Sequence, residues 1–361
     1  MFLIRADGNA KIGAGHLMRC LTIADELRKL VDIHKILFVC ADLQSAELAL
    51  KRGYEAFLLW SDPCDMEAEI PAWSRIPVEN KKTNVIVVDS YFATKNYLQK
   101  IGEYGSITLM DDMGEKCFPV DRVINYNAFA DTKHYEDLYK DSDTELILGS
   151  VYVPVRPQFR RGLYQIRKKA ENVLITTGGG DIDNIAGQIL RHIQEKETGE
   201  MLNYHLTIGK FNPHFEHLKA LEKQSVNVHI YHDVQDMAGL MRRCDLAVTA
   251  GGSTVYELAA VGVPFICFSY AENQEKITEY ISREEIAFSA GAYHRNREAV
   301  LEKIAEYTIE LAKDYSRRNT CYSKERKLID GLGAERLAKL IVESTEGIAE
   351  KHDNRDAGKR G

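Results

Sequence analysis

DLAVTAGGSTVYELAAVGVP, residues Asp245–Pro264, is the stretch from which the fold is read. The apolar run Leu246–Thr249 predicts a strand, Gly251-Gly252-Ser253-Thr254 a turn, and the residues beyond it a helix that carries Glu257 on its first full turn. Free backbone N–H groups at a helix start bind phosphate oxygens, and the helix dipole favours their charge. Glycines let the backbone come close to a ligand. Glu257 is placed to accept hydrogen bonds from a ribose diol. The segment therefore reads as a holder of a nucleotide diphosphate, gripped by its phosphates and sugar. The same residues also read as an ordinary strand-to-helix turn of an α/β sheet.

Outward from this turn, strand-like and helix-like segments alternate. Strands are expected at Phe2–Arg5, Lys35–Cys40, Ala56–Leu59, Asn84–Asp89, Ser106–Met110 and Arg122–Ile124, and again at Asn172–Thr176, His205–Ile208, Val228–Tyr231, Leu246–Thr249 and Phe265–Phe268. Helices are expected at Gly15–Leu30, Ser45–Arg52, Asp183–His192, Glu298–Asp314 and Gly333–Glu343. Continuous apolar runs between helices indicate parallel βαβ units. The pattern restarts after Arg160-Arg161-Gly162, with Pro154 and Pro157 interrupting regular structure nearby. This predicts an α/β chain of two Rossmann-like, doubly wound domains: residues 1–155, carrying the sugar side, and 156–344, carrying the nucleotide. Ligands of such sheets bind at the carboxyl ends of strands, so a ligand is expected in a cleft across which the two domains face each other. The tail 345–361 is highly charged, poor in apolar residues and reads as disordered.

A chain of 361 residues is comfortable for two domains, and 45% apolar residues suit a sizeable core. Lys plus Arg number 47 against 54 for Asp plus Glu, a net charge of −7, which argues against a nucleic-acid binder. MFLIRADGNAKIG at the start is no signal peptide, and no stretch approaches a membrane span. The seven cysteines are widely spaced with no CxxC, which fits a reduced cytoplasm.

A second glycine turn, Gly13-Ala14-Gly15, follows the first strand and places His16 at a helix start. An imidazole there can act as a general base, and the helix N-terminus disfavours its charged form. A histidine that caps the helix or bonds a neighbouring loop is the other reading. The turn departs from GxGxxG, so a dinucleotide cofactor is not expected. The pairs His214/His217 and His229/His232 have no carboxylate or cysteine cluster beside them, so no metal is expected.

GAGHLMR at 13–19, VDSY at 88–91, DD at 111–112, NYNAF at 125–129, LGSVYVPVRPQF at 148–159, TGGGD at 177–181, AGGSTVYELAAVGVP at 250–264 and ENQ at 272–274 occur in that order. Together they resemble the UDP-sugar hydrolases of pseudaminic acid biosynthesis, which cleave UDP-2,4-diacetamido-2,4,6-trideoxy-β-L-altropyranose, and their spore-coat polysaccharide relatives. The C-terminal half is also similar to the UDP-GlcNAc glycosyltransferase of peptidoglycan synthesis, a GT-B protein. The resemblance implies a GT-B-like fold, a UDP-sugar substrate, UDP as product and no cofactor. It implies that His16 activates a water, that Asp7 and Arg19 beside Gly13 and Gly15 shape the sugar side, and that Tyr91 and Asp112 line the acceptor side. Asn127 and Arg156 would reach the cleft from the end of the first domain. Gly179 in TGGGD would bind substrate, Gly252, Ser253 and Thr254 would hold the diphosphate, with Asn273 and Gln274 near the phosphate–sugar junction, Glu257 on the ribose, and Val234 and Met237 on uracil. Ser90 stands where that family usually has histidine in Asp-His-Tyr, and supplies no imidazole.

Three functions follow for testing: a metal-independent UDP-sugar hydrolase, a GT-B glycosyltransferase using the same donor for surface or spore-coat polysaccharide, and a non-catalytic nucleotide-sugar sensor.

Overall fold

The computed structural model describes residues 1–9, 11–78, 83–160, 162, 164–178, 181–197, 201–209 and 212–344. The expectations for Gly179 and for the tail from Thr345 fall outside them. The chain forms two compact units, Met1–Pro154 with the segment from Leu332, and Val155–Gly331.

The first unit is built on seven parallel strands: β1 (Phe2–Ala6), β2 (Ile36–Cys40), β3 (Glu55–Leu58), β4 (Val85–Asp89), β5 (Ser106–Met110), β6 (Arg122–Asn125) and β7 (Glu145–Leu148), in the order β3-β2-β1-β4-β5-β6-β7. Every residue of β1, β2 and β4 is buried, because helices cover both faces of a parallel sheet, and the strands are accordingly apolar except for Arg5 and Asp89, whose charges are paired. Leu3, Val39, Ile86, Val88, Trp73 and Leu98 belong to the core of one face. The order reverses between β1 and β4, where Ala6 pairs with Asp89. The helix α1 (Gly15–Leu27) starts just beyond β1, at that reversal.

The second unit repeats the plan with β8 (Asn172–Thr176), β9 (Asn203–Ile208), β10 (Val228–His232), β11 (Leu246–Ala250), β12 (Phe265–Ser269) and β13 (Phe288–Ala292), all parallel, ordered β10-β9-β8-β11-β12-β13. Its reversal lies between β8 and β11. From β11 the chain passes through the glycine turn into the helix Thr254–Val261. Val173, Ile189, Leu206, Val248 and Ile266 anchor its core.

The α/β, doubly wound expectation holds for both units. β7 and β13 were not expected. β7 is four residues with only Ile147 buried, and β13, FSAGA, is interrupted by Gly291 at φ 103°. The helix at residues 333–344 packs with the first unit rather than the second: Arg336 donates to the Val151 carbonyl at 2.8 Å, and a Cβ on Gly333 would stand 2.2 Å from the Val153 carbonyl oxygen.

Candidate active site

In the first unit, the β1/β4 reversal brings the carboxyl end of β4 beside the start of α1. His16 and Arg19 are three residues apart on α1 and share a face of the helix. Both reach Asp89, the last residue of β4. His16 Nδ1 lies 2.6 Å from Asp89 Oδ1, while Arg19 donates through Nε to Oδ2 and through Nη2 to Oδ1, each at 2.5 Å. Burial by itself would raise the Asp89 carboxyl, but the charge of Arg19 and the hydrogen bonds from Arg19 and His16 prevail and hold it well below the usual carboxylate range. An ionised carboxylate only accepts, so Nδ1 carries the proton and, in the neutral ring, Nε2 is left as the acceptor. His16 therefore neither caps its helix nor bonds an adjacent loop. Its partner is 73 residues away in sequence.

Arg19 extends the network. Its Nη1 donates to Asp112 Oδ2 at 2.6 Å and to the Tyr126 hydroxyl at 2.5 Å. Asp112 also accepts from Tyr91 Oη at 3.2 Å and from Asn127 Nδ2 at 3.1 Å. The Tyr91 ring meets the His16 ring edge-on, with centroids 4.5 Å apart. Burial first, then the Asp112 charge, raises the Tyr91 hydroxyl, so it stays a donor. A cavity of about 190 Å³ is lined by His16, Asp89, Ser90, Tyr91, Lys11 and Asp7, among others. The Asp7 carboxylate is engaged from within: it pairs with buried Arg5 and accepts the Ala41 amide at 2.8 Å. Gly13 sits at φ 78°, which an L side chain rarely adopts, and Gly15 opens α1.

In the second unit, Gly252 and Ser253 lead into the helix Thr254–Val261. No described group is bonded by the Ser253 and Thr254 amides, whereas Gly252 N donates to Ala250 O at 2.8 Å and Val255 N to Gly252 O at 3.1 Å. The turn Glu272–Gln274 packs against this helix start, since a Cβ on Gly251 would lie 2.7 Å from Thr278 Cγ2 and 3.1 Å from the Gln274 carbonyl oxygen. Gln274 accepts the Tyr270 amide at 3.2 Å, and Asn273 is exposed beside it. Glu257 Oε1 accepts from Arg156 Nη2 at 2.9 Å, and the Arg156 guanidinium lies over the Phe159 ring. Burial raises the Glu257 carboxyl, and Arg156 only partly opposes it. Arg156 thus serves the second unit, not the end of the first. Val234 is half-buried in the loop after β10. Met237 is the first, buried residue of the helix Met237–Arg243, which packs on the helix Thr254–Val261.

Sequence reasoning singled out His16, Arg19, Tyr91, Asp112 and Asn127 separately, and the structure joins them in one network. It assigned no role to Asp89 or Tyr126. What the sequence held of Asp89 was a carboxylate closing the buried run VIVVD, and that β4 stands at the sheet reversal is shown only by the fold. Among the described residues, no group of three or more His, Cys, Asp or Glu side chains is arranged to hold a metal ion.

Two all-parallel doubly wound units, each with a glycine turn at its sheet reversal, define an α/β protein of the GT-B-like class. Residues 172–338 match the glycosyltransferase family 28 C-terminal domain. The chain is 23% identical over 348 residues to a spore coat polysaccharide biosynthesis protein, SpsG, of Bacillus subtilis, covering 95% of this chain and 98% of that one. It is 23% identical over 283 residues to the UDP-2,4-diacetamido-2,4,6-trideoxy-beta-L-altropyranose hydrolase of Campylobacter jejuni, covering 78% of this chain and 96% of that one. The crystal structure of Acinetobacter baumannii MurG superposes with a TM-score of 0.66 at 13% identity, covering 95% of this chain and 99% of that one. The resemblance expected from the ordered motifs is thus found by comparison, and the matches support an enzyme. No helix among the described residues is long and apolar enough to cross a membrane.

Proposed function

We propose that this chain hydrolyses a UDP-linked diacetamido-trideoxy sugar at its anomeric C–O bond, with inversion, in nonulosonic acid biosynthesis. The observation that carries the reading is the His16–Asp89 pair beside a cavity, with Nδ1 2.6 Å from the carboxylate. Asp89 fixes the tautomer, Nε2 takes a proton from water, and the water oxygen bonds to the anomeric carbon. The C–O bond to the diphosphate breaks and UDP leaves with the electron pair. General-base help of this kind contributes about 10²–10⁴-fold.

In this reading Arg19, Tyr91, Asp112 and Asn127 bind sugar hydroxyls, with Asp7 and the Gly13–Gly15 turn bounding the cavity. The second unit takes the nucleotide. The open amides of Ser253 and Thr254, at a helix start reached through Gly252, stabilise charge growing on the leaving phosphate. Asn273 and Gln274 adjoin it, Glu257 accepts from the ribose while Arg156 holds it in place, and Val234 and Met237 flank uracil. The relative named as a hydrolase of such a substrate supports this. The test is incubation of the purified chain with that UDP-sugar alone, followed by NMR. UDP and free sugar should appear together, and intact substrate beside folded protein refutes it.

A second reading, a glycosyltransferase whose sugar acceptor replaces water, is favoured by the match of residues 172–338 to a glycosyltransferase domain. UDP release only on addition of a saccharide or lipid acceptor decides for it.

A further inference from the structure

The chain has two tryptophans. Trp73 is fully buried, whereas 72% of Trp60 is open to solvent. Trp60 also sits at φ 58°, in the left-handed region that bulky side chains rarely adopt. The strand pairing explains this backbone. Leu58 pairs with Cys40, and the Leu59 amide donates to the Cys40 carbonyl at 2.9 Å. The next amide to reach the end of β2 is that of Ser61, which donates to Ala41 O at 3.0 Å. One chain advances two residues while the other advances one. Trp60 is therefore the extra residue of a bulge at the carboxyl end of β3, the edge strand of the first sheet. Left-handed backbone and an exposed indole are both unfavourable on a bare surface. Glycine would remove both costs, yet tryptophan stands there, and the bulge presents its ring to solvent.

The surroundings indicate what the ring meets. Asp62, two residues on, accepts from Lys11 Nζ at 2.9 Å, and Lys11 also lines the chamber that holds His16. Asp42, next after Ala41, accepts from Asn9 Nδ2 at 2.7 Å and from the Ser45 amide at 2.8 Å. Trp60 is thus a flat apolar surface edged by carboxylates and an ammonium already held in place. It lies at the strand ends, where ligands of such sheets bind. A protein anchor is set among contacts that exclude water, and an anionic membrane is repelled where carboxylates outnumber the ammonium. A pyranose fits these groups. One of its faces carries C–H groups that lie on an indole, and its rim carries hydroxyls that donate to Asp42 and Asp62 and accept from Lys11. We propose that Trp60 is the platform of a saccharide-binding site on the first unit, outside the His16 chamber, which takes a pyranose of an oligosaccharide chain. Such a site is independent of the choice between hydrolase and transferase.

The test titrates the full chain, without nucleotide, with cellotetraose and with chitotetraose. Buried Trp73 gives a constant fluorescence background. Emission of the wild type should shift to the blue and saturate with at least one of the two sugars. Saturation-transfer NMR of the sugar C–H protons then compares variants. Trp60→Phe keeps an aromatic face and should bind within about threefold of the wild type, while Trp60→Gly should bind about tenfold more weakly or worse. Trp60→Gly should also melt no lower than the wild type, because glycine adopts φ 58° freely. A marked fall in its melting temperature would make the indole a structural support and overturn the platform. Unchanged emission with both oligosaccharides, or binding that survives in Trp60→Gly, overturns the site. So does a blue shift produced by phosphatidylglycerol vesicles, or by raising the protein concentration with no sugar present, which would assign the ring to a membrane or to a second copy of the chain.

Discussion

Asp89 Oδ1 receives two donors, His16 Nδ1 at 2.6 Å and Arg19 Nη2 at 2.5 Å, and these two nitrogens lie only 3.1 Å apart. One buried carboxylate therefore sets the tautomer of the imidazole and neutralises the guanidinium beside it. The two tasks separate by substitution.

His16→Ala should lower kcat by about 10²–10⁴-fold with UDP affinity almost unchanged, because the imidazole acts on the water and not on the nucleotide. Steady-state kinetics beside UDP calorimetry checks this. A comparable loss in both contradicts the assignment.

Asp89→Ala should lose activity and also destabilise the fold, by up to about 3–5 kcal/mol, because half-buried Arg19 is left with Asp112 alone as counter-charge. Asp89→Asn retains a carbonyl acceptor and should be milder in urea unfolding while remaining slow in catalysis. If Asp89→Asn were as active as the wild type, Asp89 would have no positioning role.

Glu257 yields a pH prediction. Burial raises its carboxyl above the ordinary 4.5, so the proton is taken up at a higher pH than in an exposed glutamate. A neutral carboxyl is the weaker acceptor for a ribose diol, so affinity for the intact UDP-sugar should fall on acidification before ordinary carboxylates titrate. Glu257→Gln should remove this acid limb and weaken binding at neutral pH, and Glu257→Ala should cost about 1.5–3 kcal/mol. Titration calorimetry from pH 7 downward reads both. An acid limb unchanged in Glu257→Gln assigns it elsewhere.

The sheets were legible because parallel strands buried on both faces write themselves as apolar runs: ILFVC and VIVVD become β2 and β4. The strands that escaped, ELIL and FSAGA, lie at the last positions of their sheets, where less burial is demanded and glycine or polar residues are admitted. The glycine turns and His16 were legible for a similar reason, since turn chemistry is local. Asp89 was not, because its meaning depends on a crossover that sets β4 beside β1. Arg156 was read with the first unit, since nothing local in VPVRPQF reveals that its guanidinium pairs with Glu257, 101 residues on.

The two glycines before the helix Thr254–Val261 should respond differently to alanine. A Cβ on Gly251 would lie 2.7 Å from Thr278 Cγ2 and 3.1 Å from the Gln274 carbonyl oxygen, so Gly251→Ala must displace Thr278 and the end of the Glu272–Gln274 turn and should lower the melting temperature and UDP affinity together. A Cβ on Gly252 meets nothing within 4 Å, so Gly252→Ala should melt like the wild type and still bind UDP more weakly, the methyl occupying the approach of the phosphate. Unchanged UDP affinity in Gly252→Ala removes the phosphate from that turn.

His205 makes the second unit sensitive to acid without touching the proposed chemistry. On β9 its Nε2–H donates to Asn172 Oδ1 at 3.0 Å and its Nδ1 accepts from the Tyr231 hydroxyl at 3.1 Å, while the ring stacks on His229 at 5.0 Å. That arrangement accommodates one tautomer of the neutral ring, and a second proton on Nδ1 would displace the tyrosine donor. Burial first, and the neighbouring His229 second, push the imidazole from 6.5 down to about 4. The unfolded chain takes up this proton as pH falls through about 6.5, the folded chain only near 4, so between those values the unfolded state binds more protons. Stability contributed by His205 is therefore complete above the upper value and lost progressively toward the lower one. Urea midpoints at pH 7 and pH 5 should differ more for the wild type than for His205→Asn, which cannot titrate. Equal differences would mean that the histidine already accepts its second proton in the folded sheet.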